Sequence, residues 1–572
     1  MMSLVPRVKL LEQGNGFLEK RALCYDPETY DKRLAAALAK LPYDCGGAKL
    51  EISVTGDAGE AYELWINADS IRIEATGTAG AFYAIQTLRQ IFKHDHIPCL
   101  HIKDEPDFPY RGFYHDVTRG KVPTLESIKE LIDQMAYYKL NSLQLYVEHA
   151  YEFEECKDLI QSTGYLTKEE IRQIDDYCQA NFIEFIPSLS TFGHLYELLQ
   201  QKKYQHLRVL KDYEPLANFW RARMIHHTID PLNPESLELV TSLIDQYIPL
   251  FTSDTFNICC DETFDLKTYE ASGQDVGALY VGFVKKIINH VKSRGKKVMM
   301  WGDILLQHPE TIQELPEDTY FLNWFYRIDP PEEDVIRFAQ SGRLQIVCPG
   351  TATWNRFCED VDVEENNICF MAEYGHKHGA VGVLNTNWGD WGNPCSVELA
   401  MYGMVLGAEK SWSVETRPGD RFYSAVNFHL YENEKGVQYL KELSHLQNQV
   451  NWRNFSQAYF IDRFKSGEEF PPAFKGDIGQ FQNGCRSFID RLSAEESFSE
   501  EFRLEMLLAA EGVCMMAELF AAMQGSKLHR MINTKQWLLK YRAKWAQKNK
   551  ESELRNIEDM FLYCDENWSN GQ

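Results

Sequence analysis

Two carboxylates stand side by side at Asp261 and Glu262, where the apolar run of FNICCDETFD ends. Adjacent like charges at the end of a buried strand are costly unless they are partnered or put to use. Held together, they can divide acid and base work, one carboxyl ionised and the other protonated. Other reactive or stacking side chains hold similar places beside apolar runs. They are Arg111, Asp116 and Arg119 in YRGFYHDVTRG, Glu148 and His149 in LQLYVEHAYEF, and His194 in PSLSTFGH. Trp301 and Asp303 follow in KKVMMWGD, Trp324 and Tyr326 in TYFLNWFY, Trp354 in GTATWN, and Trp388 and Asp390 in TNWGDWG. Carboxylates accept from hydroxyls and indoles cover C–H faces, so the set suits a sugar ring. Each residue also has a plainer reading: a tryptophan as core, Arg111 and Asp116 as a structural ion pair, His194 as a satisfied loop histidine. The adjacent pair resists its plainer reading most.

These residues can meet only if something brings the ends of the runs together. Between positions 107 and 425 there are eight short apolar runs: YRGFYHDV, NSLQLYVE, FIEFIPSL, TFNICCDE, KKVMMWGD, TYFLNWF, LQIVCPG and AVGVLNTNW. Amphipathic stretches such as TLESIKELIDQMAYYK separate most of them. Strand–helix alternation predicts parallel pairing. Eight units in roughly 320 residues predict an α/β fold of the (β/α)8 TIM-barrel type, with its chemistry at the C-terminal strand ends. Residues 1–106 read as a small N-terminal α/β domain. There AKLEISVTG and AYELWINADSIRIEATG alternate at period two, NADS forms a hairpin turn, and AGAFYAIQTLRQIF has helical spacing. Residues 426–572 read as a C-terminal helical domain. Its basic stretch TKQWLLKYRAKWAQKNK is a solvated helix face rather than a nucleic-acid surface, given the acidic whole.

The chain of 572 residues carries 44% hydrophobic and 25% charged residues and a formal net charge of -25. That excess of acid disfavours nucleic acid and anionic membranes as partners. No window reaches the ~18 apolar residues of a membrane span; LEMLLAAEGVCMMAELFAAM is interrupted by Glu511 and Glu518. The start, MMSLVPRVKLLEQGNGFLEK, lacks a segment of signal-peptide type, and the fourteen cysteines form no framework. The expectation is a reduced, cytoplasmic protein.

YRGFYHDVTRGKVP, FNICCDE and TNWGDWG, in that order, resemble the family 20 glycoside hydrolases, the β-N-acetylhexosaminidases; ATGTAGAFYAIQTLRQIF resembles their small N-terminal domain. The resemblance covers about residues 50–410. It implies an exo-acting, retaining hydrolase of terminal GlcNAc or GalNAc, in which the substrate's 2-acetamido oxygen attacks the anomeric carbon. Asp261 would orient the acetamide N–H and balance the charge of the oxazolinium intermediate. Glu262 would protonate the departing oxygen and then act as base on water; a neighbouring anion favours the protonated form of such a group. By the same resemblance Arg111 would hold the outer hydroxyls and Asp390 would accept from positions 4 and 6. Trp301, Trp324 and Trp388 would wall the acetamide and ring, and His194 would be the histidine after the third strand. No metal and no cofactor are implied.

The chain departs from the family at three places. The usual pair of aspartates after the second strand is replaced by Glu148 and His149, either of which could take over its supporting part. The loop before His194 lacks an acid. Trp354 stands where a tyrosine donates to the acetamide oxygen, and Tyr326 could supply that hydroxyl instead. Two other functions fit the same barrel: a non-catalytic glycan-binding protein, or a glycosidase for another terminal sugar. A metal hydrolase has only His376 and His378 to recommend it, spaced so that helical geometry turns the rings apart.

Overall fold

Eight strands close into a parallel barrel because each is buried on both faces and must find neighbours on both edges. The barrel strands are β7 (Tyr110–Asp116), β8 (Ser142–Val147), β9 (Glu184–Leu189), β10 (Thr255–Asn257), β11 (Lys297–Trp301), β12 (Tyr320–Trp324), β13 (Leu344–Cys348) and β14 (Gly382–Asn387). They follow one another around the barrel, and β14 closes on β7. These are the eight runs of the sequence. The computed structural model describes residues 2–569 apart from 161–163, 214, 215, 226, 473, 475, 527 and 528.

β10 is shorter than its apolar run. Cys259, Cys260 and Glu262 have φ of 55°, 66° and 47°. Left-handed backbone cannot continue a strand. The chain therefore turns there and presents Asp261 and Glu262 at the barrel mouth instead of adding them to the sheet.

Six further strands precede the barrel: β1 (Leu10–Phe17), β2 (Leu23–Cys24), β3 (Ala48–Val54), β4 (Tyr62–Ile66), β5 (Ser70–Ala75) and β6 (Pro98–Asp104). They form one sheet, ordered β1-β6-β4-β5-β3-β2, with the helix Thr78–Ile91 packed on it. This domain sits at the strand starts of the barrel. Arg111 bonds Glu60 there at 2.6 Å, and Lys139 bonds Asp104 at 3.0 Å.

The C-terminal region is built of the helices Gly436–Gln447, Trp452–Phe464, Ile478–Ser493, Glu500–Met523, Thr534–Lys548 and Leu554–Trp568. Its helix Glu500–Met523 is long and apolar enough to cross a membrane, yet most of that length is buried against neighbouring helices. The basic helix Thr534–Lys548 buries Trp537, Tyr541 and Trp545. Its lysines meet acids on neighbouring elements: Lys544 lies 3.3 Å from Glu505 and Lys548 2.6 Å from Glu130.

Candidate active site

Glu262 and Asp261 leave β10 with different surroundings. Asp261 is buried, and its Oδ1 has no hydrogen-bond partner. The Glu262 side chain is 23% exposed and reaches the mouth of the barrel. His194 Nε2 lies 3.3 Å from Asp261 Oδ2 and 3.3 Å from Glu262 Oε2, shared between them and in line with neither. The loop after β9 reaches this position by close approach at Gly193, where a Cβ would sit 2.3 Å from the Asp261 carbonyl oxygen. His194 is itself left-handed, at φ 56°.

The far side of the His194 ring fixes its tautomer. Arg119 Nη2 lies 3.0 Å from Nδ1, and a guanidinium offers only donors. Nδ1 must therefore be bare, with the ring proton on Nε2, facing the two carboxylates. Burial pushes His194 towards neutrality and Arg119 acts with it, while the Asp261 charge, with Glu262 close by, pulls the value up to about 10. A second ring proton would point at the Arg119 donor, so the 3.0 Å contact fits the neutral ring better. The His194 backbone N–H donates to His227 Nδ1 at 2.6 Å, and the two imidazoles stack at 4.3 Å.

His194, Asp261 and Glu262 are also the one group of three potential metal-ligand residues brought together among the described residues, their ligand atoms within 4.8 Å of one another. Ligation would need a bare Nε2, whereas the Arg119 contact puts the ring proton there. The trio reads as a proton-sharing group.

Arg119, not Arg111, is the arginine of this site. Arg111 stands at the start of β7, fully buried, and donates to Glu60 and to the Phe108 and Lys139 carbonyls. The outer-hydroxyl role expected of it is corrected here: its guanidinium is used up in the junction with the N-terminal domain. Arg119 lies beyond the end of β7, donating to Asp390 at 2.7 Å, Glu148 at 3.1 Å and the Tyr146 hydroxyl at 3.2 Å. Asp116 accepts from the backbone N–H groups of Thr118, Arg119 and Gly389, joining the loops after β7 and β14. Those loops touch so closely that a Cβ on Gly120, at φ +91°, would lie 2.4 Å from the Gly392 carbonyl. Burial raises the Asp390 carboxyl, with Arg119 opposing.

Of the two residues after β8, Glu148 does the supporting. It accepts from Arg119 and, at 2.8 Å, from the Tyr146 hydroxyl. His149 faces it at 3.9 Å, and its Nδ1 has no partner. The aromatic residues form a floor and a rim. Trp301 and Trp388 are buried with ring centres 5.9 Å apart, and Tyr114 and Tyr146 pack on Trp388 at 5.1 and 5.0 Å. Trp324, Tyr326 and Trp354 are half-buried; Tyr326 stacks on Trp324 at 4.9 Å and leans on Trp354 at 5.3 Å. The Tyr326 hydroxyl accepts from Trp388 Nε1 at 2.8 Å and also hydrogen-bonds the Thr386 side chain.

Asp303 completes the carboxyl group. Its Oδ2 accepts from the Glu262 backbone N–H at 3.0 Å, and burial with Asp261 close by pushes it up to about 8. Tyr146, His227, Arg119 and Asp303 are the site residues not singled out for roles from the sequence. Arg119 and Asp303 were visible as strand-end residues, and Tyr146 shares the inward parity of Glu148. His227 belongs to no apolar run and gave no signal.

Residues 108–413 match "Glycosyl hydrolase family 20, catalytic domain", and residues 5–105 match "Glycosyl hydrolase family 20, domain 2". The beta-hexosaminidase of Vibrio furnissii is 25% identical over 379 residues, 57% of this chain and 58% of that protein. The chain thus spans somewhat more than half the length of that curated relative. A chitobiase structure from Flavobacterium johnsoniae aligns over 98% of this chain and 99% of its own, with TM-score 0.63 and 17% identity. A GH20 exo beta-N-acetylglucosaminidase structure from Vibrio harveyi aligns over 75% and 76%, with TM-score 0.59 and 20% identity. At these identities the two structures speak for the fold.

Proposed function

The chain belongs to glycoside hydrolase family 20, and from that premise we propose that it is an exo-acting, retaining β-N-acetylhexosaminidase that uses the substrate's own acetamide as nucleophile. The observation that carries the reading is the unequal pair at the end of β10: a buried Asp261 with one unpartnered oxygen beside a Glu262 that reaches the mouth. Asp261 Oδ1 is free to accept the acetamide N–H. The acetamide oxygen then attacks C1, the bond from C1 to the leaving oxygen breaks, and the Glu262 proton passes to that oxygen. The cyclic oxazolinium carries the positive charge that Asp261 faces. In the second half Glu262 takes a proton from water, water attacks C1, and the ring opens to restore the acetamide with β configuration retained.

Tyr326 is the hydroxyl donor for the acetamide oxygen in this reading, since its ring stands at the rim between Trp324 and Trp354 and Trp354 has no hydroxyl. Arg119, Asp390 and Glu148 form the charged wall that receives the outer hydroxyls of the terminal sugar and stops the pocket, which supports the exo mode. The proposal extends to terminal N-acetylhexosamine on an oligosaccharide as substrate. It also extends to a reducing, cytoplasmic setting, since all fourteen cysteines stand unpaired.

A panel of aryl β-glycosides tests the reading. Aryl β-GlcNAc or β-GalNAc should be cleaved, and the β-glucoside and β-galactoside should not. Equal rates with and without the acetamide would remove the substrate-assisted step. A thiazoline mimic of the cyclic intermediate should bind more tightly than substrate. Glu262→Gln should cost roughly 10²–10⁴-fold on substrates with poor leaving groups, the usual worth of general acid catalysis, and less on activated phenolates. Asp261→Asn should lose activity evenly across leaving groups.

A further inference from the structure

We propose that Asp303 is the positioning residue of the proton donor: a carboxyl group that stays protonated beside Asp261 and Glu262 and holds Glu262 in its left-handed backbone conformation through the backbone N–H. The inference rests on the reading of Glu262 given above. Three observations lead to it.

The first is the contact itself. The Glu262 N–H donates to Asp303 Oδ2 at 3.0 Å, joining the loop after β10 to the residue that opens the helix Asp303–Gln307 after β11. The second is the backbone that this contact holds. Glu262 has φ 47°, a region non-glycine residues enter only where surrounding contacts impose it. A donor whose own main chain is held this way has its carboxyl aimed by that main chain.

The third is the charge balance. The ionisable groups facing Asp303 are Asp261 and Glu262 from the loop after β10, Cys260 before them, and Tyr280 from the helix Val276–Ser293. None is a cation. Asp303 Oδ1 is buried and has no hydrogen-bond partner. An ionised carboxylate there would be a third negative charge in one small space, with an oxygen that nothing solvates. The protonated acid avoids that charge and still offers Oδ2 to the Glu262 N–H. Burial and the nearby Asp261 carboxylate, which raise the group to about 8, act in the same direction.

Asp303→Asn is the neutral isostere. It keeps an oxygen for the Glu262 N–H and carries no charge. Asp303→Ala removes the acceptor. Each variant and the wild type would be assayed on an aryl β-GlcNAc with a good leaving group and on an alkyl β-GlcNAc with a poor one. Thermal melts would establish that the variants fold. We expect Asp303→Ala to lose at least about tenfold on the alkyl glycoside, part of the range general acid catalysis supplies, and no more than about threefold on the aryl one. Asp303→Asn should stay within about threefold of wild type on both, with the basic limb of its pH–kcat profile unmoved. A structural residue would cost both substrates equally. If the basic limb of Asp303→Asn moves to lower pH, Asp303 acts as a charge and the proposal is wrong. It is equally wrong if Asn is as poor as Ala, or if Ala shows no preference for the good leaving group. Wild-type cleavage of the aryl substrate tests the parent reading by itself: without it both fall, and with it only the Asp303 assignment is at stake.

Discussion

The barrel joins its two flanking regions by different means, and the difference decides which buried arginine serves the site. At the strand starts the N-terminal domain meets it through charges that cancel locally. Arg111 pairs with Glu60, and Lys139 with Asp104, which also accepts from the Tyr62 hydroxyl and Trp412 Nε1. Nothing in that junction faces the mouth. At the strand ends the C-terminal helices attach to the loops that carry the site. The Glu553 N–H donates to the Gly120 carbonyl at 3.1 Å, one residue beyond Arg119. Trp452 Nε1 donates to the Trp391 carbonyl at 2.8 Å, and the Tyr541 hydroxyl to that of Pro394 at 3.1 Å, just past Asp390. One flank steadies the barrel; the other frames its pocket.

The largest expected effect would break this contrast directly. Arg119→Ala should lower kcat/KM by at least about 10²-fold, since a charge-assisted hydrogen bond is worth roughly 1.5–3 kcal/mol and Arg119 makes several. Arg111→Ala should instead cost stability, about 3–5 kcal/mol as for other broken buried ion pairs, and leave KM of the folded fraction unchanged. Kinetics and denaturant melts on both variants check this. A raised KM in folded Arg111→Ala would mean that the two ends of the barrel are not separate in function.

That pair of arginines also shows how far the sequence could be read. The eight strands were legible because each is a short apolar run between amphipathic segments, and the Asp261–Glu262 pair because no core tolerates it idly. Both arginines sit in the same motif, YRGFYHDVTRG. The motif resemblance pointed to Arg111, yet a strand ending at Asp116 places Arg111 at the wrong end and Arg119 at the mouth. Strand direction was the better guide. The early end of β10 was hidden because left-handed backbone at Cys259 and Cys260 has no side-chain signature: neither is glycine or asparagine. The docking of Glu553 near Trp220 joins residues 333 positions apart, a contact no local pattern encodes.

Glu553 gives a test of intermediate size. It is buried, accepts from Trp220 Nε1 at 2.9 Å and pairs with Arg223, while its N–H holds Gly120. Trp220 in turn packs against Gly392, where a Cβ would come within 2.6 Å of its ring. Glu553→Gln keeps the shape and removes the charge. If the C-terminal helices frame the Arg119–Asp390 wall, KM should rise by about 2- to 30-fold, the 0.5–2 kcal/mol usual for residues that act on a site through packing. The dependence on leaving group should not change, because Glu262 lies on another loop. An altered KM at the wall with unaltered proton donation would sharpen the division between the two sides of the pocket.

The smallest effect distinguishes the two junctions by pH. The loop that follows β13 and carries Trp354 is fastened to the C-terminal helix Gly436–Gln447: Arg356 donates to the Ser444 carbonyl and the Val361 N–H to the Ser444 hydroxyl. Beneath it lie Glu359 and Glu364, both fully buried. Glu359 accepts from the Tyr402 and Gly403 N–H groups, but both oxygens of Glu364 lack a conventional donor. Asp360, Glu365 and Tyr402 face Glu364, and Tyr431 faces both acids; no cation is among them. Burial raises both carboxyls, Glu359 to about 8, and the neighbouring Glu359 charge raises Glu364 further. A carboxyl raised on folding stabilises fully while it is protonated in both states and loses that contribution as pH climbs from the unfolded value through the folded one. The window here runs from the ordinary value of 4.5 to about 8. Melting temperature should fall across it in the wild type, and Glu364→Gln, which supplies a permanent donor, should flatten the fall. At the N-terminal junction each acid faces a buried cation, Glu60 on Arg111 and Asp104 on Lys139, so Glu60→Gln should lower stability while leaving the Glu359–Glu364 pair and its slope in place. Melts of the three proteins between pH 5 and pH 8.5 decide it, and parallel slopes in all three would place the pH-sensitive group elsewhere.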